Sequence, residues 1–252
     1  MFSDGLAVAP CGVPSIRHVL PTGDPHGSRV VEPSHPGNRR PRGGAPSVIR
    51  MPRVAPLELR GWRVILRTLT DEDYEAWHEV RVRCRDWLLS WEPRPAGAPA
   101  TPEDRSSFSA RCAARERERQ IGSGYGFGIF VEGRLVGEVT LSSLQRGPFQ
   151  NAFIGYWVDQ AHAGKSIAPE SVVVVMRFAF EDLRLHRLEI AIVPRNGPSR
   201  RVVQKLGLRE EGVAQRYLEI DGRWEDHVRY AITAEEWAAR AEELGIAWLK
   251  RR

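Results

Sequence analysis

The sequence is poor in lysine, in cysteine and in long apolar runs. Lys165, Lys205 and Lys250 are the only lysines among 252 residues, so its positive charge is almost all arginine. With abundant Ala, Val and Pro, that bias suggests a GC-rich bacterial source. The three cysteines, Cys11, Cys84 and Cys112, have no metal-ligand spacing, and an odd number does not make a disulfide framework. No metal centre is expected, and a reducing cytoplasm fits this usage best. No apolar stretch approaches the ~20 residues that span a bilayer, and no basic segment followed by an apolar one suggests a signal peptide. No membrane partner is therefore expected. The formal net charge is +5, but six arginines and three acids fall within residues 1–50, which leaves +2 for the remainder. That is too little to predict direct nucleic-acid binding. Nothing in the sequence sets an oligomeric state.

Residues 1–50 contain eight Pro and seven Gly, which break every periodic pattern, and few apolar residues to offset ordering entropy. They read as a disordered tail, either a weak basic arm or sequence upstream of a true start at Met51. Order is expected from Leu57, with one domain over 57–233 and a C-terminal helix over 234–252. Trp62–Arg67 alternates as a strand. Thr70-Asp71-Glu72-Asp73 is a capping box that predicts a helix to about Arg85. Thr101-Pro102-Glu103-Asp104 predicts a second helix to about Gln120, with Pro102 at its first position. Trp87–Pro99, between them, reads as a loop. Tyr125–Val131 and Leu135–Leu144 read as strands joined at Glu132-Gly133.

The segment that carries chemistry begins at Asn151. Asn151–Asp159 predicts a strand, Gln160–Ala168 a turn holding Gly164 and Lys165, Pro169–Leu183 a helix, and Leu185–Val193 another strand. The helix is apolar on every face: Val172, Val175, Met176, Ala179 and Leu183 form one stripe, and Val173, Val174, Phe178 and Phe180 fill the others, so burial is expected. A turn feeding a helix start suits a pyrophosphate, because the first N–H groups lack partners and the helix dipole is positive there. Gly164 would allow close backbone approach, and Lys165, Arg195, Arg200, Arg201 and Lys205 could neutralise further charge. Gly164-Lys165-Ser166 also resembles the end of a nucleotide-binding P-loop, but that motif needs glycine at position 159, where this chain has Asp159. Next comes Pro194-Arg195-Asn196-Gly197-Pro198-Ser199, then a short helix expected to stop at Gly207. Val213–Ile220 and Arg223–Ile232 predict a hairpin on the type I′ signal Asp221-Gly222.

Four stretches in this order resemble the GCN5-related N-acetyltransferases, specifically the ribosomal-protein-alanine N-acetyltransferase branch. They are Ile154–Val158, the loop Ala163–Ala168, Asn196-Gly197-Pro198-Ser199 running to Lys205-Leu206-Gly207, and Tyr217–His227. With Leu66-Arg67, the resemblance spans roughly residues 57–233. It implies an α/β fold with a mixed central sheet whose two parallel strands splay, flanked by helices. It also implies acetyl-CoA as donor. Pantetheine would pair with the strand edge at Trp157 and Val158, and pyrophosphate would sit on Gly164, Lys165, Ser166, Ile167 and Ala168, with Arg201 and Lys205 nearby. Asn196 and Ser199 would approach the pantetheine arm and the sulfur. Tyr217 would protonate the leaving thiolate, with Ser199 beside it, and the C-terminal hairpin would shape the acceptor pocket. The chain departs from the family pattern at Ala161, where Gln or Arg is usual, and at Ser166, where Gly or Ala is usual. It departs again at Phe153, where many relatives carry Glu.

Plainer roles exist for each residue. Ser199 and Asn196 could cap a helix, Tyr217 could pack on the core, and Trp87 and Trp91 could anchor a loop. Glu138 reads as an exposed strand carboxylate or, through water, a base, His162 as solvent-facing, and Asp226 with His227 as hairpin support or a base pair of residues. The leading function is acetyl transfer from acetyl-CoA to a primary amine, preferably the N-terminal α-amine of a protein such as a ribosomal protein. The alternatives are a small-amine, polyamine or antibiotic N-acetyltransferase, and a non-catalytic acyl-CoA-binding module.

Overall fold

The computed structural model describes residues 57–94 and 103–250. The expectation of a disordered tail over 1–50 falls outside these residues, as do Thr101 and Pro102. Eight strands form one sheet in the order β1-β2-β3-β4-β5-β6-β8-β7. The strand predicted at Trp62–Arg67 is β2 (Val64–Arg67), and a short strand that was not expected, β1 (Glu58–Arg60), precedes it and pairs with it antiparallel, with the chain turning at Gly61. A Cβ on Gly61 would lie 2.7 Å from Glu170 Oε1 and 2.8 Å from Val64 Cγ2, so the turn needs glycine to sit this close. β3 (Tyr125–Val131), β4 (Arg134–Gln145) and β5 (Asn151–Val158) continue the antiparallel sheet. β5 then pairs in parallel with β6 (Arg187–Ile192), the one parallel contact among the named strands.

The capping box at Thr70 forms, and Asp73 also accepts from Arg67 at 2.6 and 2.9 Å. The first helix, α1 (Tyr74–Arg83), breaks at Cys84; α2 (Arg85–Leu89) follows, which puts Trp87 in a helix rather than a loop. α3 (Arg105–Ile121) starts later than the Pro102 signal predicts, because Asp104 is its cap, accepting from Ser107 N at 2.9 Å. α4 (Ile167–Arg177) starts two residues before Pro169, and Phe178–Asp182 closes it as a π turn. Proline is tolerated in this first turn because an N–H there lacks an intrahelical partner anyway. Ile167 to Met176 are all buried, as a helix apolar on every face requires.

Side chains alternate across the sheet. Ile154, Tyr156 and Val158 enter the main core with α4, while Trp157 joins Trp77, Leu88, Phe108 and Phe130 in a second cluster on the α1–α3 side. Beyond β6, α5 (Gly197–Lys205) ends at Gly207, whose φ is +60°. β7 (Arg209–Ile220) starts earlier than expected and pairs with β8 (Arg223–Thr233) around Asp221 and Gly222, at φ +47° and +78°; both are positive, as a type I′ turn demands. α6 (Ala234–Trp248) closes the described chain behind a capping box of Thr233 and Glu236. Among the described residues no helix is long and apolar enough to cross a membrane.

Candidate functional site

The site lies where β5 and β6 part. Their pairing runs Asn151↔Arg187, Ala152↔Leu188 and Phe153↔Glu189 and then stops, although β5 continues to Val158 and β6 to Ile192. Trp157 and Val158 keep their β4 partners, Glu138 and Gly137, on the other side. The β5 edge past Phe153 therefore faces a wedge with backbone groups that need partners. Gly137 must be glycine for this packing, since a Cβ there would meet Trp157 O at 2.2 Å.

The loop from the end of β5 to α4 closes the top of the wedge. Asp159 holds its start: it accepts from Ala161 N at 3.0 Å, Arg83 Nη2 at 2.7 Å and Cys84 Sγ at 3.2 Å. Burial alone would raise the Asp159 pKa, but these donors outweigh it and hold the carboxyl below its usual range. His162, expected to face solvent, is half-buried with Nδ1 3.4 Å from Asp159 Oδ2. Gly164 (φ +77°) and Lys165 are exposed, and Ser166 takes the left-handed conformation (φ +61°, ψ +23°) just before α4. Arg63 donates to Lys165 O at 2.8 Å and Ser166 O at 3.1 Å. All peptide bonds described are trans, so the N–H of Ser166 and of Ile167 point opposite to those carbonyls. With Ala168 N–H also in the first turn, the loop can present amides to an anion.

On the other wall, Asn196 caps α5, accepting from Ser199 N at 3.1 Å. Ser199 is fully buried, and its Oγ lies 2.9 Å from the Tyr156 hydroxyl. Burial pushes the Tyr156 pKa well above its ordinary range, so the phenol stays neutral. Tyr156 thus ties β5 to the start of α5 across the wedge. Nothing local in the sequence marks Tyr156 for this role, although it stands in the family-like stretch Ile154–Val158. Arg201 is half-buried and Lys205 exposed on α5. Of the neighbouring basic residues, Arg195 pairs with Glu225 at 2.6 Å, and Arg200 Nε donates to Tyr230 at 3.2 Å.

The hairpin forms the far side. A register shift between Ala214 and Leu218 bulges β7 at Gln215–Tyr217, and Arg216 (φ +47°) donates its N–H to Asp226 at 2.8 Å. Tyr217 packs edge-on against His227, with ring centroids 5.5 Å apart. His227 is buried, which lowers its pKa, and its Nδ1 lies 3.0 Å from Glu225 O. A carbonyl only accepts, so Nδ1 carries the proton. Asp226 and His227 thus serve separate partners and are not a base pair of residues. Glu138 also departs from expectation. It is buried, accepting from Trp77 Nε1 at 2.7 Å and from Arg111 Nη1 at 3.0 Å. Burial would raise its pKa; Arg111 and Trp77 reverse the shift and keep it ionised. From the end of α2, Trp91–Arg94 crosses to the hairpin tip. Arg94 N donates to Glu219 O and Gly222 N to Arg94 O, both at 2.9 Å, and Arg195 lies 4.7 Å from the Trp91 ring centroid.

Known proteins share this arrangement. The chain matches the acetyltransferase (GNAT) domain family over residues 63–209, more than half its length. It is 30% identical to the [ribosomal protein uS5]-alanine N-acetyltransferase of Escherichia coli, over 69% of this chain and 90% of that protein. It is 48% identical to the probable N-acetyltransferase YjcK of Bacillus subtilis, a match spanning 43% of this chain and 61% of that one. The solved structure of Mycobacterium smegmatis RimJ in complex with CoA-disulfide superposes with a TM-score of 0.70 at 34% identity, covering 76% of this chain and 93% of that one. A splayed parallel pair, an amide-lined loop on a buried helix and acetyl-CoA as donor go together, and the chain belongs to the GNAT acetyltransferases.

Proposed function

We propose that the acceptor is the N-terminal α-amine of a protein, of the ribosomal-protein kind. The observation that carries this reading is that, among the described residues, the buried carboxylates at the wedge are tied to arginines, Glu138 to Arg111 and Glu189 to Arg187 and Arg229. Glu138 is locked between Arg111 and Trp77, and Phe153 stands where a strand carboxylate would serve. Direct attack needs a neutral amine. At pH 7 about a tenth of an α-amine is neutral, against about one lysine amine in a few thousand. A site whose carboxylates are tied in this way suits the first, with water taking the proton. The name of the E. coli relative, a ribosomal-protein-alanine N-acetyltransferase at 30% identity, points the same way. A ribosomal acceptor would put the enzyme in the cytoplasm.

In this reading the chain's residues divide the work. The N–H groups of Gly164, Ser166, Ile167 and Ala168 hold the pyrophosphate, with the side chains of Lys165, Arg201 and Lys205 supplying charge, while the Lys165 N–H stays within the loop on His162 O at 3.4 Å. The β5 edge at Trp157 and Val158 pairs with the pantetheine amides. Asn196 fixes the start of α5, and Ser199, fully buried and bonded to Tyr156, anchors that start to β5 rather than touching the sulfur. Acetyl-CoA supplies an acyl carbon activated as a thioester. Tyr217 gives its hydroxyl proton to the departing sulfur as the C–N bond forms and the C–S bond breaks, then regains a proton from solvent. The test is competition between a peptide with a free N-terminus, the same peptide N-terminally blocked with a free lysine, and a polyamine. The free N-terminus should be favoured by about tenfold or more in kcat/KM, in line with the neutral fractions. If the blocked peptide or the polyamine is the better substrate, the α-amine assignment fails.

A further inference from the structure

Arg63 lies at the turn between β1 and β2, more than a hundred residues from the loop it holds. Its guanidinium has three acceptors in three directions: Nη1 to Lys165 O at 2.8 Å, Nη2 to Ser166 O at 3.1 Å, and Nε to Glu170 Oε2 at 2.8 Å. Glu170 is fully buried in the first turn of α4, and its other oxygen accepts from the backbone N–H of Arg63 and of Val64. The carboxylate therefore fixes both the main chain and the side chain of Arg63. This clamp closes on a stretch with an unfavourable backbone, where Ser166, a residue with a Cβ, sits at φ +61°. A non-glycine residue resists that conformation unless something holds it.

We propose that Arg63 is a positioning residue for acetyl-CoA: by taking the carbonyls of Lys165 and Ser166, it turns the amides of Ser166 and Ile167 toward the pyrophosphate, and Glu170 holds it there. This rests on reading the loop as the phosphate cradle. Arginine suits the task because its planar fork offers five donors in fixed directions, whereas a lysine ammonium is a point charge that cannot serve two carbonyls and a carboxylate at once.

The experiment measures CoA binding by calorimetry on the full chain, with thermal melting as the check of folding. Arg63→Lys keeps the charge beside Glu170 and should weaken CoA binding by about tenfold, as expected for losing charge-assisted bonds that orient a site. The KM for acetyl-CoA should rise in step while kcat at saturation stays within about twofold, since no reacting atom is touched. In a Ser166→Gly background the same change should cost under half as much on the logarithmic scale, because glycine adopts the conformation unaided. The pair Arg63→Gln with Glu170→Gln removes the clamp without burying a lone charge, and it should also weaken CoA binding. Unchanged affinity in Arg63→Lys and in that pair would overturn the proposal. An equal loss with Ser or Gly at position 166 would reduce Arg63 to a tether for the β1–β2 turn, and would also overturn it. Gly164→Val tests the underlying reading separately: if it binds CoA as the wild type does, the loop is not the cradle at all.

Discussion

The two sides of the wedge are built in different ways. On the side read as the cofactor's, a loop, a helix start and a strand edge come from consecutive residues between Asn151 and Arg177, with side chains added from α5. The side read as the acceptor's joins distant segments: the Trp91 ring meets the Arg195 guanidinium, the Arg94 main chain bonds Glu219 and Gly222, and the Tyr217 ring rests on His227. Main-chain recognition tolerates changes of side chain, so Ser166 can replace a usual glycine or alanine without altering which groups face the ligand. Recognition through side chains depends on each residue. The first substitution to separate the two sides is Tyr217→Phe. It removes one hydroxyl and keeps the ring against His227. In the proposed reading kcat falls by about 10²-fold or more, the usual scale of general acid catalysis, with CoA affinity unchanged. A wild-type kcat would end the acid role and make Tyr217 a packing residue; a loss of CoA binding would erase the division between the two sides.

That division also explains what could be read from the sequence. The β5-loop-α4-β6 unit was legible because each part carries a local signal: aromatic and β-branched strands, a glycine turn, a helix apolar on every face. The hairpin was legible from Asp221-Gly222 alone. Interactions without local periodicity were not. Glu138 looks exposed on its own strand and is buried by Arg111, Trp77 and α3. Arg63 is one arginine among many until Glu170 and the Lys165 carbonyl come to meet it. Tyr156 looks like any alternating core residue, and only the start of α5, forty-three residues on, gives its hydroxyl a partner in Ser199. The α3 start was misread for a similar reason. Pro102 is a good first helical residue in isolation, but the carboxylate of Asp104, bonded to Ser107 N, marks the real start. The break at Cys84 escaped notice because Asp159, seventy-five residues away, takes the thiol at 3.2 Å.

A smaller effect is expected where the acceptor side is stitched together. Trp91 is half-buried under the guanidinium of Arg195, which in turn pairs with Glu225 on β8. Trp91→Ala removes the cation–π contact but leaves the main-chain bonds of Arg94 in place. The strap should loosen without detaching, and the KM for the acceptor should rise by about two- to fivefold, the range for a partly exposed contact of this kind. CoA affinity measured by calorimetry should not move. A change in CoA affinity as large as the change in acceptor KM would mean that the strap organises the whole wedge.

The smallest effect is one of stability, and it sharpens the comparison from the cofactor side. Ser166 has φ +61° and ψ +23°, and its side chain makes no capping bond at the start of α4. Glycine at this position therefore forfeits no hydrogen bond. It relieves the left-handed conformation, about 1–2 kcal/mol for a residue with a Cβ, and it adds freedom to the unfolded chain, about 0.4–1 kcal/mol in the opposite direction. The first effect outweighs the second, so Ser166→Gly should raise the unfolding free energy by about 0.5–1 kcal/mol. That would be read as a higher urea midpoint at unchanged slope. CoA affinity should stay within about twofold, since the amides of the loop keep their directions while Arg63 remains. A lower midpoint would mean that the serine is held by favourable contacts rather than against its preference. The idea that the cofactor side stores its cost in the backbone would then fail.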